Sequence, residues 1–301
     1  MTELVIRPLA AGEEGLFASL PDPGLVGFGA YPETSLQAMT DRGELRPEWS
    51  WVALRDEKVV ARAAWWAYPE SAEPFALAWF DFTDFDAAVA VLRAAPHPTE
   101  YSIKLPAGWR DDPAVAEAAN SRIAAATAAG FTLLVERFLY RWTPECGLPD
   151  RPGRLEFRPE PDDEVFLDVF RRIAHGSLDA HVQRTIATSG IDAAAREDLD
   201  IMLGMPGPRE WWRLAYTPSG ELAGLCLPSR NHVNPVIGYI GVVPEHRGHG
   251  YAYDLLVEAT HLLVAEGADR IIAATDLPNK AMAATFAKVG YPIDAHRVDL
   301  I

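Results

Sequence analysis

Two α/β domains of similar topology, in tandem, are predicted from three observations. These are the chain length, a proline- and glycine-rich stretch near the middle, and a succession of apolar runs that repeats in each half. At 301 residues and 33.0 kDa the chain exceeds the commonest single-domain size and suits two domains, each able to bury its own core. The stretch from Trp142 to Pro159 concentrates proline and glycine, so it reads as a linker that leads into a new strand. The boundary is expected near residue 150, giving domains 1–148 and 154–301.

Each half opens alike, with Val5-Ile6-Arg7-Pro8 in one and Glu156-Phe157-Arg158-Pro159 in the other, and each start leads into an acid-bearing helical pattern. A hairpin follows. In the first half it is Trp51–Leu54, the charged turn Arg55-Asp56-Glu57-Lys58, and Val59–Trp66; in the second it is Trp211–Tyr216, the turn Thr217-Pro218-Ser219-Gly220, and Leu222–Leu227. Next come near-continuous apolar segments, Phe75–Phe82 and Val236–Val243, as expected of strands buried on both faces. Each half then closes with a helix, a strand, an alanine-rich helix and a Gly-aromatic stop, Gly130-Phe131 or Gly290-Tyr291, before a final β segment. The glycine serves as the helix C-cap.

The formal net charge of -16 repels polyanions and favours cationic small molecules, which counts against a nucleic-acid partner. No apolar run approaches the roughly 20 residues that span a bilayer, so no membrane partner is expected. Met1-Thr2-Glu3-Leu4 lacks the basic start and apolar core of a signal peptide, and Cys146 and Cys226 stand far apart without metal-type spacing. The reading is a soluble, cytoplasmic chain with reduced thiols, a monomer or homodimer.

The segment that carries chemistry is Val242 to Ala252, Val-Val-Pro-Glu-His-Arg-Gly-His-Gly-Tyr-Ala, between the buried strand and an amphipathic helix with Ala252, Leu255, Leu256, Ala259 and Leu263 on one face. Unpaired amides and the positive dipole end at a helix N-terminus suit a phosphate, and Gly248 and Gly250 let the backbone approach it. Arg247 adds a charge-assisted contact. A glycine pair alone serves a tight turn more often than a ligand, but more than the pair is present.

The string Val-x-Pro-x-x-Arg-Gly-x-Gly-x-Ala closely resembles the acetyl-CoA motif of the GNAT superfamily of N-acetyltransferases, and Asn279, Met282, Phe286, Gly290 and Tyr291 match its second signature. The resemblance is specific over Trp211–Ile301 and architectural elsewhere. It implies two tandem GNAT-like domains, each a mixed, mostly antiparallel central sheet flanked by helices, and acyl transfer from acetyl-CoA to an amine by direct attack on the thioester. It further implies that Arg247, Gly248, His249, Gly250, Tyr251 and Ala252 hold the pyrophosphate, that Ile240, Gly241 and Val242 pair with the pantetheine arm, and that Asn279 and Phe286 lie against the coenzyme. Asn279 serves equally as an N-cap. The first half has Asp81-Phe82-Thr83-Asp84-Phe85-Asp86 at the equivalent loop. Without glycine and with three carboxylates it is read as a degenerate copy that binds no coenzyme.

Two departures from the family pattern concern proton handling. The fifth-strand glutamate is replaced by Ala274, and the tyrosine seven residues after the asparagine by Phe286. Asp276, on the same strand face as Ala274, is the first candidate base, with an N-terminal helix-capping role as the alternative. Tyr239 and Tyr253 are the nearest alternative hydroxyl donors, and Tyr239 is taken as the candidate acid. A leaving thiol with a pKa near ~8.5 departs largely as thiolate and does not strictly need one. Asp179 and His181 fall where the family builds its acceptor pocket and are read as substrate contacts. His246 and His249 have no third ligand nearby, so no metal is expected. The function expected is acetylation of the primary amine of a small cationic molecule; a peptide or protein amine, or a non-catalytic acyl-CoA sensor, are the alternatives.

Overall fold

The computed structural model describes residues 3–21, 24–31, 34–97, 100–231 and 233–301. Along the first half run β1 (Val5–Pro8), α1 (Glu14–Ala18), α2 (Leu36–Asp41), β2 (Leu45–Arg55), β3 (Lys58–Trp66), β4 (Ala76–Phe82), α3 (Phe85–Ala94), β5 (Tyr101–Pro106), α4 (Pro113–Ala129) and β6 (Leu133–Trp142). The second half continues with β7 (Glu156–Arg158), α5 (Asp163–Ala174), α6 (Ala180–Ser189), α7 (Ile191–Gly204), β8 (Arg213–Tyr216), β9 (Leu222–Arg230), β10 (Pro235–Val242), α8 (Tyr251–Ala265), β11 (Ile271–Asp276), α9 (Lys280–Val289) and β12 (Ile293–Leu300). The chain forms two compact units, Met1–Glu136 with Ala295–Ile301, and Arg137–Asp294. The stretch near residue 150 therefore lies inside the second unit, and each unit includes a strand segment from the far end of the other half.

In the first unit the strands run β1-β2-β3-β4-β5 and then the Ala295–Leu300 part of β12. Pairing is antiparallel except between β4 and β5, where Leu77 faces Tyr101 in parallel. Trp65, Phe80, Ile103 and Leu105 pack with Val91 of α3 and Ala126 of α4 in its core. Two of the three carboxylates that stand where a phosphate loop would be have structural partners. Asp81 is buried between Arg62 and Arg122, with Arg62 Nε 2.9 Å and Arg122 Nη2 2.6 Å from its oxygens. Asp84 caps α3 by accepting from the Ala87 amide at 3.0 Å and pairs with Arg55 at 2.8 Å. The start of α3 thus has a side-chain cap instead of open amides.

In the second unit the order is Arg137–Trp142 of β6, then β11-β10-β9-β8-β7, again antiparallel except for β10 against β11. Alternation along β9 sorts the core into two layers. Leu225 and Leu227 meet Phe166 and Phe170 of α5 and Leu199 and Met202 of α7, while Cys226 meets Leu255 and Ala259 of α8. Helix α5 buries Phe166, Leu167, Val169, Phe170 and Ile173 and starts at Asp162, which accepts from the Glu164 amide. The Gly-aromatic stops behave as expected: Gly130 and Gly290 adopt φ of 116° and 97°, the left-handed cap conformation.

Candidate functional site

Strand β10 carries a break in register between Ile237 and Tyr239 on its β9 side. Gly238 at the break is obligatory, because a Cβ there would lie 2.6 Å from Met202 Cε and 2.7 Å from the Leu227 carbonyl oxygen. Among the described residues, the parallel pairing of β10 with β11 is confined to Val236 opposite Ile272. The two strands part beyond that point. Residues Tyr239 to Gly241 keep their β9 partners and turn an open edge toward the gap, which is how a sheet accepts an extended amide-bearing ligand.

The gap leads to the Arg247–Ala252 loop. Gly248 and Gly250 adopt φ of 84° and 75°, a region that costs a side-chain-bearing residue roughly 1–2 kcal/mol. Helix α8 starts at Gly250 without a side-chain cap. Among the described residues, no intrachain acceptor is found for the amides of Gly248, His249, Gly250, Tyr251 and Ala252. Five donors at the positive end of a 15-residue helix make an anion cradle. The Arg247 amide is not among them, since it donates to the Pro244 carbonyl at 3.2 Å.

The Arg247 side chain also departs from its expected place on a phosphate. Its guanidinium donates to the carbonyls of Ile173 and His175 at 2.7 Å each and to that of Val242 at 3.2 Å. It therefore caps the C-terminus of α5, where its charge complements the helix dipole, and ties that helix to the end of β10. The Val242 carbonyl is thereby taken, and Ile240 and Gly241 remain for a pantetheine arm. His249 folds back over the loop, its Nδ1 3.2 Å from the carbonyls of His246 and Arg247 and its ring stacked on Tyr251. A second arginine, which no motif singled out, supports the loop from behind. Arg154 donates to the carbonyls of His249 and Gly250 at 3.1 Å each and forms an ion pair with buried Asp254.

Across the gap, Asp276 is not the free base expected of it. Its side chain is buried, one oxygen 2.5 Å from Arg137 Nε and the other 2.7 Å from the Ala180 amide at the start of α6. Both oxygens are occupied. The helix-capping alternative is the role observed, although the helix is α6 and not the one that follows Pro278. Asp179 is the N-cap of the same helix, accepting from the amides of His181 and Val182 at 2.9 and 3.1 Å, and it forms an ion pair with Arg137. About a third of its side chain stays exposed. His181 follows in the first turn of α6.

The carboxylate that does stand against β10 is Asp198 of α7. It lies one turn from Met202, whose methyl touches Gly238, so both project from one stripe of α7 onto the bulged segment. Tyr239 lies close enough to Asp198 for each to act on the other's titration, and it packs edge-on against Phe170 at 4.8 Å. Among the described residues, Asp198 Oδ2 is buried without a hydrogen-bond partner. Burial first, and then the nearby Asp179 charge, push the Asp198 carboxyl up to about 7, against the smaller opposing effect of Tyr239. Burial likewise raises the Tyr239 phenol well above its ordinary range, so it is a hydrogen-bond donor at neutral pH.

Residues 184–291 match the model of the Acetyltransferase (GNAT) family. The second unit thus carries a GNAT-family domain over these residues. Solved structures extend the likeness to the tandem architecture. A GCN5-related N-acetyltransferase from Sphaerobacter thermophilus superposes with a TM-score of 0.60 at 14% identity, over 99% of this chain and 94% of that one. A tandem GNAT protein from the clavulanic acid biosynthesis pathway gives 0.52 at 17% identity, over 99% and 98%. A glucosamine N-acetyltransferase region of a fungal multi-domain β-N-acetylglucosaminidase gives 0.54 at 13%, over 100% of this chain and 38% of that one. No curated protein matches the sequence.

Within the GNAT domain the second signature plays a largely structural part. Asn279 caps α9 by accepting from the Met282 amide at 3.1 Å, and among the described residues its side-chain NH2 has no partner. Phe286, read from the family pattern as a coenzyme contact, is instead buried in the core, stacked on Tyr140 with ring centroids 4.1 Å apart. Ala274, at the family glutamate position, is exposed. Among the described residues no cluster of three or more acidic, histidine or cysteine side chains is arranged to hold a metal, and no helix is long and apolar enough to cross a membrane.

Proposed function

We propose that the second unit of this GNAT protein transfers the acetyl group of acetyl-CoA to the primary amine of a small cationic molecule. The observation that carries this reading is the row of five unpartnered amides from Gly248 to Ala252 beside the open edge of β10. The residues fit the coenzyme: the amides would hold the pyrophosphate, Ile240 and Gly241 would pair with the pantetheine arm, and the Asn279 amide group would donate to it. The thioester would then lie near the bulge around Gly238 and Tyr239. There the neutral amine attacks the carbonyl carbon, the C–N bond forms, and the C–S bond breaks with the electron pair leaving on sulfur.

Two features support a cationic acceptor. Asp179 keeps about a third of its side chain exposed and its charge reaches Asp198, and the chain as a whole carries a formal charge of -16, which draws cations toward it. The test is thiol release from acetyl-CoA with spermidine, glucosamine and a short peptide as acceptors. Release with spermidine or glucosamine is the expected outcome. Release with the peptide alone would move the assignment to a peptide amine, and coenzyme binding without release on any amine would leave an acyl-CoA sensor.

A further inference from the structure

We propose that Asp198, set by α7 on the stripe that meets the bulged segment of β10, is the group that takes the proton from the incoming ammonium, and so fills the role left open by Ala274. This inference rests on the acyl-transfer reading above and adds a residue to it. Two geometric facts place Asp198 there. The i, i+4 relation to Met202 sets it on the stripe of α7 that contacts Gly238. Its Oδ2 is buried with no partner among the described residues, and the electrostatic influence of Tyr239 on it agrees with that placement. An unpartnered buried carboxylate oxygen costs stability, and an ammonium arriving from the gap is the ligand that would satisfy it.

The chemistry balances around that oxygen. The ammonium gives one proton to Asp198, which becomes the neutral acid, and the neutral amine attacks the thioester carbon. The second proton leaves nitrogen as the C–S bond breaks and ends on the thiol, and Asp198 returns its proton to solvent. An ordinary carboxylate near pKa ~4 faces an alkylammonium near ~10 with an equilibrium about 10⁶ against transfer. A carboxyl raised to about 7 lowers that handicap to about 10³. The groups that set its titration are Tyr239 from β10, Asp179 from the start of α6 and Glu197 on its own helix. Arg247 acts on Tyr239, and Arg137 pairs with Asp179. Tyr239 thereby acts on the titration of the base, in place of the acid role expected from the sequence.

Two measurements test this on the full-length protein. In the first, ¹³C-carboxyl NMR titration of wild type and Asp198→Asn should identify an aspartate titrating near pH 7 that is missing from the variant; if the resonance lost is one that titrates near pH 4, the proposal is overturned. In the second, thiol release is followed against pH with spermidine and glucosamine. Asp198→Asn should lower kcat about 10²–10⁴-fold, remove the acid limb near pH 7, and leave acetyl-CoA binding by calorimetry within threefold of wild type. A variant that turns over at the wild-type rate with the same pH profile overturns the base assignment and leaves acyl transfer standing. Wild type that binds acetyl-CoA but releases no thiol with any amine contradicts both.

Discussion

Arg137 pairs with two carboxylates at once, Asp276 and Asp179 at the start of α6, and no cation is among the groups that set the titration of Asp198. Asp276 is buried and hydrogen-bonded through both oxygens. Asp276→Asn should therefore cost about 3–5 kcal/mol of stability by leaving Arg137 partly uncompensated, visible as a lower urea midpoint, with acetyl-CoA still bound by the folded fraction. Asp198 behaves oppositely. Its folded carboxyl, raised to about 7, holds a proton more tightly than an unfolded aspartate near ~3.9. The stabilising contribution is present below pH 4 and lost as pH rises toward 7, where ionisation of the buried acid works against folding. Asp198→Asn should accordingly raise the Tm at pH 8 by at least about 2 °C and not at pH 4, as differential scanning calorimetry would show. A sequence signal for Asp198 exists, because it falls on the stripe of α7 that holds Ala194 and Met202. Nothing local identifies Arg137 as the partner of Asp276, which lies 139 residues away.

At the scale of elements, the loop between β10 and α8 works because its carbonyls are anchored and its amides are left open. Arg154 anchors the carbonyls of His249 and Gly250, and Arg247 anchors the end of α5 to the end of β10. Arg154→Ala should weaken acetyl-CoA binding by about tenfold in calorimetry, the size expected for losing one or two charge-assisted hydrogen bonds that position a site. Gly248→Ala should do the same through backbone strain at φ 84°. The loop itself was legible because its glycines and its place between a strand and a helix are local features. The orientation of Arg247 was not, because the carbonyls it meets belong to a helix more than seventy residues earlier. The burial of Phe286 is likewise a tertiary fact. Only the folded chain sets Tyr140 of β6 against its ring.

For the whole molecule, the repeated order of hairpin, buried strand, helix, strand and capped helix was readable from apolar periodicity and glycines. The composition of each unit was not. Ala295–Leu300 completes the sheet of the first unit by pairing with β5, and Arg137–Trp142 completes that of the second by pairing with β11. Strand pairing between distant segments leaves no mark in a linker composition, so the proline- and glycine-rich stretch pointed to a boundary that the folded units do not share. Truncation after Asp294 should thus lower the protection of the Tyr101–Pro106 strand in hydrogen exchange, although the deleted residues are the last in the chain. Acid should also loosen this unit. Desolvation raises the Glu136 carboxyl, but hydrogen bonds from Arg110, His296 and Trp109 outweigh it and hold it down at about 2. The stability it contributes is complete above its ordinary value near ~4.3 and is lost as pH falls toward 2.

The two units differ most where a phosphate would sit, with open amides after β10 and a carboxylate-capped helix after β4. Isothermal titration calorimetry of the full-length chain with acetyl-CoA tests that difference directly. One coenzyme per chain, lost or weakened at least tenfold in Gly248→Ala, is the predicted result. Two equivalent sites, no binding, or one site indifferent to Gly248→Ala would contradict it.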